Sequence, residues 1–188
     1  GRILIAFHNE RVIGSALLVF GERGGKPFEL DLLLPKSHFA KLPQYEELME
    51  ITAICIEKYY QDTDVLLGVF ENMYREGLSA GKKYVMVSSD FDCLHRYRKM
   101  GFKETGLLLD HPRKADVQLK VMLLNKDTGK TGKGMNPVRW WAVWGHVSLH
   151  LYQRRIIDYS LLQKTRVYLN RAMFELSRVI ASALRWLR

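Results

Sequence analysis

Few cysteines and no long apolar run: each scarcity removes a class of protein. Only Cys55 and Cys93 occur in 188 residues, both in apolar, periodic segments. A disulfide-stapled scaffold needs more, so a reduced, cytoplasmic protein is expected. No CxxC, HExxH or histidine cluster is present, which predicts no metal site. His95 is lone; His146 and His150 stand four apart on an expected helix, with no third ligand near. No run of 18 apolar residues occurs, so no membrane-spanning helix is expected. The chain opens on Gly1-Arg2-Ile3-Leu4-Ile5 without a charged-then-apolar leader, which predicts no signal peptide. Gly129-Lys130-Thr131 is no phosphate-binding P-loop, because Leu124 stands where the first glycine belongs.

What is present is a chain rich enough to bury a core, at 47% hydrophobic residues. Its length suits one domain with an appendage. The net charge of +9 is uneven. Residues 136–188 hold nine Lys and Arg but only Asp158 and Glu175 as acids, leaving +2 for everything before them. A local basic surface of this kind implies an acidic partner: a protein, a nucleic acid or a membrane surface.

Residues 2–7 and 12–20 are Ile/Leu/Val-rich runs around a polar link, which predicts a β-hairpin. Phe28 to Leu34 reads as a strand halted by Pro35. Leu48 to Ile56 reads as a central strand buried on both faces. Asp62-Thr63-Asp64 are good helix-capping residues, followed by Leu66, Val69, Phe70, Met73, Tyr74 and Leu78 at helical spacing. Gly81 is placed to end that helix. A short strand at Tyr84–Val87, a helix over about 91–100 closed by Gly101, and strands near 103–109 and 117–124 complete the pattern. Residues 126–134 read as a Gly/Lys linker, and 135–188 as a basic helical extension packed on the core formed by 1–125. In the last helix Thr165, Leu169, Ala172, Met173, Leu176, Val179, Ile180, Ala183, Leu184 and Leu187 share one stripe. Trp140, Trp141 and Trp144 are spaced so that at least one packs inward. The order of elements predicts an α/β (α+β) sheet flanked by helices.

Two features carry chemistry. An acid, Glu50, falls inside an otherwise apolar strand; the alternatives are a structural acid paired with a base and a general base with a raised pKa. The start of the helix after that strand, from Gln61 to Leu67, offers free backbone N–H groups to a phosphate-bearing carrier.

Strand, turn, helix, strand and then Tyr97-Arg98-Lys99-Met100-Gly101-Phe102 resembles the core of the GNAT-type N-acyltransferase fold, over about residues 2–125. The line Glu50-Ile51-Thr52-Ala53-Ile54-Cys55-Ile56 through Tyr60-Gln61 is similar to the E-I-S-R-L-A-I-x-x-x-Y-R strand of one branch. That branch holds the acyl-homoserine-lactone synthases and the long-chain N-acyl amino acid synthases, N-acyltyrosine synthase among them. Ala53 and Gln61 replace its two arginines. Asp64 and Leu66 replace the glycines of the usual acetyl-CoA loop.

The resemblance implies a central mixed sheet with a C-terminal helical extension. It implies transfer of a long-chain acyl group from acyl carrier protein to the amine of an amino acid, with tyrosine as the guess, by direct attack on the thioester. Glu50 is the expected base and Tyr97 the expected acid for the departing thiol; Tyr97 is equally explained as a core aromatic. Ile56, Gln61, Thr63, Asp64, Val65 and Leu66 are expected to hold the acyl-phosphopantetheine arm, with acyl-CoA as the alternative donor. No permanently bound cofactor is expected. Arg154, Arg155, Lys164, Arg166, Arg171 and Arg178 are expected to dock the acidic carrier. Ile54, Ile56, Val85, Val87, Phe91 and Phe102 line either an acyl tunnel or plain core. No nucleic-acid partner is expected, and transient membrane contact is open for product release. The other readings are an acetyl-CoA-dependent N-acetyltransferase and a non-enzymatic basic module on nucleic acid or anionic membrane.

Overall fold

The computed structural model describes residues 1–22, 27–33, 40–60, 64–111, 114 and 116–186, without the side chains of residues 64, 66, 67 and 184–186. It divides into two compact units. The first is Gly1–Arg98 with Phe102–Lys126, and the second is Lys99–Gly101 with Asp127–Arg188.

The first unit is a six-stranded sheet in the order β1-β2-β3-β4-β6-β5. Strands β1 (Arg2–His8) and β2 (Arg11–Phe20) form the expected hairpin. Asn9 and Glu10 both take positive φ, as a two-residue turn matching strand twist requires. Next to β2 runs β3 (Leu48–Ile56), then β4 (Tyr84–Ser89), β6 (Gln118–Asn125) and β5 (Lys103–Asp110). Every pairing is antiparallel except β3 with β4. Two parallel strands need a crossover, supplied by α2 (Asp64–Ser79). Gly81, at φ +71°, lets the chain turn back after it.

Side-chain alternation along β3 sorts the two faces. Leu48 joins Val19, Met86, Leu107 and Val121 in one buried cluster, covered by Phe28 and Leu30. On the other face α2 packs on β1 through β4. Gly77 brings it so close that a Cβ there would lie 2.9 Å from Met49 Cε.

Three expectations need correction. The strand expected over Phe28–Leu34 is not one in its described part: Glu29–Leu33 is a short helix, α1, and Leu34 lies outside the described residues. Burying Leu30 and Phe28 from one side needs no sheet partner, and Asp31 accepts from the Phe28 N–H at 2.8 Å to start the turn. β3 is buried on both faces only in its first half; from Thr52 its residues are half-buried or exposed.

The third correction is the Gly/Lys linker, whose first six residues form a helix, α4 (Lys126–Thr131). Its last carbonyls are satisfied from three different helices. Trp140 Nε1 of α5 (Pro137–Trp140) donates to Gly129 O at 2.7 Å. Ser148 Oγ of α6 (His146–Gln153) donates to Lys130 O at 2.6 Å. Asn170 Nδ2 of α7 (Leu161–Trp186) donates to Thr131 O at 3.3 Å. Gly132 is small because the Trp140 ring lies 2.8 Å from where a Cβ would be. Gly132 thus serves close packing. Trp141–Gly145 forms a π-helical turn joining α5 to α6. Trp140 and Trp144 are fully buried, as the spacing requires of at least one. No helix among the described residues is long and apolar enough to cross a membrane, and no metal-ligand cluster occurs among them.

Candidate active site

β3 and β4 pair only from Leu48↔Tyr84 to Ile51↔Val87, although both strands run on. Beyond Ile51 they part. The cause is local: the register of β2 against β3 shifts between Ser15 and Leu17, so β3 carries an extra residue there. Ala53 takes φ +50° within it. Such a bulge bends its strand and ends pairing with a neighbour. It leaves the β3 backbone from Thr52 to Cys55 outside the parallel pairing, facing a cleft of about 400 Å³. That volume lies within the range of small-molecule sites.

The floor of the cleft is Ile51 to Cys55, one wall is Ser88, Ser89 and Asp90 at the end of β4, and Glu29, Cys93, Tyr97 and His111 also line it. Cys93 and Tyr97 come from the Asp90 turn and α3 (Leu94–Lys99). Asp90 Oδ1 accepts the Cys93 N–H at 3.0 Å, starting that helix where the sequence predicts one. The Tyr97 ring packs edge-on against Phe70 and Phe102, with centroids 5.7 and 5.5 Å away. Burial, then the Cys93 and Asp90 charges, push its hydroxyl up to about 12, so it stays protonated and able to donate. Burial and Asp90 also push the Cys93 thiol up. A neutral thiol is a poor nucleophile.

Glu50 is not among the cleft's lining residues. It is 2% exposed, beneath α1, where Oε2 accepts the Glu29 N–H at 2.6 Å and Oε1 the Leu30 N–H at 3.1 Å. Desolvation raises it from 4.5 to about 7, while these two N–H groups pull the other way. It anchors the start of α1 from a neighbouring strand. Two carboxylates line the cleft: Asp90, whose Oδ1 accepts the Cys93 N–H, and Glu29, which accepts a hydrogen bond from Thr52 Oγ1. Reading residues 28–34 as a strand hid Glu29; the Leu-rich run gave no sign that its first residue would face a cavity. His111, which follows β5, likewise carries no pattern that singles it out.

Of the expected carrier-arm residues, Ile56 is half-buried at the end of β3, and Val65 is half-buried in the first turn of α2. Asp64 opens α2. Gln61 and Thr63, and the side chains of Asp64 and Leu66, lie outside the described residues. Among the expected tunnel residues Ile54 lines the cleft, Val85, Val87 and Phe102 are core, and Phe91 is exposed. The six expected docking cations belong to the second unit. Lys164 Nζ lies 5.2 Å from the centre of the Tyr152 ring and Arg171 Cζ 5.7 Å from that of Trp141. Arg178 pairs with Glu175 at 3.5 Å, and Arg154, Arg155 and Arg166 are exposed.

A mixed sheet whose central parallel pair parts over a bulge, crossed by a helix and flanked by a tyrosine-bearing short helix, is the GNAT-type acyltransferase fold. The sequence matches no protein-family model and no curated protein. Among solved structures it is similar to FeeM, an N-acyl amino acid synthase from uncultured soil microbes. That match has a TM-score of 0.52 and 15% identity over 66% of this chain and 71% of FeeM. It is similar to MesI, a CoA-dependent acyl-homoserine lactone synthase, at TM-score 0.53 and 17% identity over 85% and 70% of the two chains. BjaI, a CoA-dependent acyl-homoserine lactone synthase solved with SAM and isopentyl-CoA, gives 0.54 and 15% over 89% and 73%. At these identities the likeness is one of fold.

Proposed function

We propose that this chain is an N-acyltransferase that takes a long-chain acyl thioester into the β3–β4 cleft and passes the acyl group to the amine of an amino acid. The observation that carries the reading is the parted parallel pair. Unpaired strand edges accept an extended, amide-bearing arm as they would another strand, and a phosphopantetheine arm is such a chain. The amine nitrogen attacks the thioester carbonyl carbon and the C–S bond breaks. Glu29 takes the proton from the attacking amine, and Tyr97 gives its proton to the departing sulfur. Glu50 acts as a positioning residue through α1.

The donor is acyl carrier protein or acyl-CoA. MesI and BjaI are CoA-dependent, whereas an acidic carrier would meet the cations Arg154, Arg155, Lys164, Arg166, Arg171 and Arg178. Tyrosine is the acceptor implied by the resemblance. The test is a mass-spectrometric product search with long-chain acyl carrier protein, long-chain acyl-CoA and acetyl-CoA, each with an amino-acid pool. An N-acyl amino acid from a long-chain donor supports the reading and names donor and acceptor. Product from acetyl-CoA alone favours an N-acetyltransferase, and no product from any donor sinks the assigned chemistry.

The two carboxylates separate by variant. Glu29→Gln is expected to lower kcat about 10²-fold with an unchanged melting temperature. Glu50→Gln leaves one N–H of α1 facing an amide donor, and a loss of about 1–3 kcal/mol of stability is expected. An acid with a folded pKa of about 7 against an ordinary 4.5 makes the folded state bind the extra proton. Stability therefore falls by about 3 kcal/mol as pH rises from about 4.5 to about 7, then levels off. Denaturation at several pH values should show that fall in the wild type and a flatter profile in Glu50→Gln. An equally steep fall in the variant would place the titration elsewhere.

A further inference from the structure

α7 presents its apolar stripe outward. Leu162, Leu169, Met173, Leu176, Val179 and Ile180 are between 42% and 84% exposed. At 3.6 residues per turn they fall within an arc of about 120°, and from Leu162 to Ile180 they run about 27 Å. The side of α7 that packs inward is a different one: Val167 and Asn170 are buried, about 150° round the helix from the centre of the stripe. The helix is therefore held in its unit by a narrow seam, with its widest apolar surface left uncovered. Solitary exposed apolar side chains are ordinary, but a continuous stripe of this length marks a contact surface.

The charges beside the stripe select the occupant. Arg166 borders one edge; beyond the other, Lys164 and Arg171 lie about 60° and 80° round the helix, with Arg178 further still. Glu175 is the one acid between residues 161 and 186, and it pairs with Arg178 at 3.5 Å. A second copy docked through this face would bring cations against cations. An acidic carrier protein would meet the cations and leave the stripe uncovered. An anionic bilayer satisfies both features, because the apolar residues enter the acyl boundary while Lys and Arg meet the headgroups.

We infer that α7 lies flat on anionic phospholipid membranes, its Leu162–Ile180 stripe inserted and its basic flanks on the headgroups. The inference rests on α7 alone and holds whatever reaction the first unit performs. The full chain is sedimented with vesicles of phosphatidylcholine alone and of phosphatidylcholine with phosphatidylglycerol in equal parts. Partitioning at least about tenfold stronger into the anionic vesicles is expected, weakening with salt. The double variant Leu176→Asp, Ile180→Asp should lose it and keep its melting temperature, since both side chains are more than half exposed. Absence of binding to anionic vesicles, or binding that survives the double variant, overturns the inference. So does a mass-doubled species in light scattering that the double variant abolishes while vesicles capture nothing, which would assign the stripe to a second copy. A carrier protein bound with no vesicle binding would overturn it equally.

Discussion

Tyr97→Phe is expected to lower kcat about 10³-fold while leaving the folded protein intact. The substitution removes one oxygen and keeps the ring that packs against Phe70 and Phe102. The hydroxyl has no hydrogen-bond partner among the described residues, so the fold loses nothing with it. At about 12 it is protonated throughout the working range, and a thiolate leaving group is the base it would serve. The effect should fall on kcat, not on KM, because the proton is needed only as the C–S bond breaks. The wild-type rate should also show no alkaline limb below about pH 10, since loss of the tyrosine proton lies higher. A Tyr97→Phe enzyme within threefold of wild type would return Tyr97 to the role of a core aromatic and leave the departing thiol to solvent.

Trp140→Ala is expected to cost about 3–5 kcal/mol, enough to unfold the second unit or nearly so. The indole is fully buried, its Nε1 closes the end of α4 on Gly129 O, and Gly132 is shaped around it. Removing it opens a cavity and orphans a buried carbonyl in the same step. Trp140→Phe separates the two terms, retaining much of the ring and losing only the hydrogen bond, at about 1–3 kcal/mol. Denaturant melts of both variants check this. A cost below about 1 kcal/mol for Trp140→Ala would mean that α4 is held by Ser148 and Asn170 without it.

Much of the first unit was legible because its signals are local. The β1–β2 hairpin, β3, the Asp64–Ser79 helix and its stop at Gly81 follow from apolar runs, helical spacing and glycine placement. The resemblance resting on Glu50 to Gln61 and on Tyr97 to Phe102 led to the GNAT-type sheet and to Tyr97 in the cleft. Other elements were not legible, each for a physical reason. Glu29–Leu33 is apolar enough to read as a strand, and only the sheet beneath it decides that it coils into a helix. The buried acid was visible at Glu50, but its two N–H partners come from residues about twenty positions away. Glu29, which pattern alone does not single out, is thus one of the two acids that line the cleft, with Asp90.

The second unit divides the same way. Amphipathic spacing placed Thr165 to Leu187 on one apolar stripe of a last helix with the cations off it, and the helix itself spans Leu161–Trp186. Spacing describes a helix relative to its own axis and says nothing of which side meets a neighbour. Tertiary packing decided that Val167 and Asn170 turn inward and the stripe outward. Composition likewise marked residues 126–134 as rich in glycine and lysine. The three carbonyl contacts from Trp140, Ser148 and Asn170 made the first part of that stretch the joint of the unit. Periodicity and turn chemistry are carried by neighbours in the chain, so the sequence by itself determined most of the elements, α1 and α4 excepted. Which carboxylate faces the cleft and which helix face stays bare depend on residues brought together only by folding, and those the tertiary structure decided.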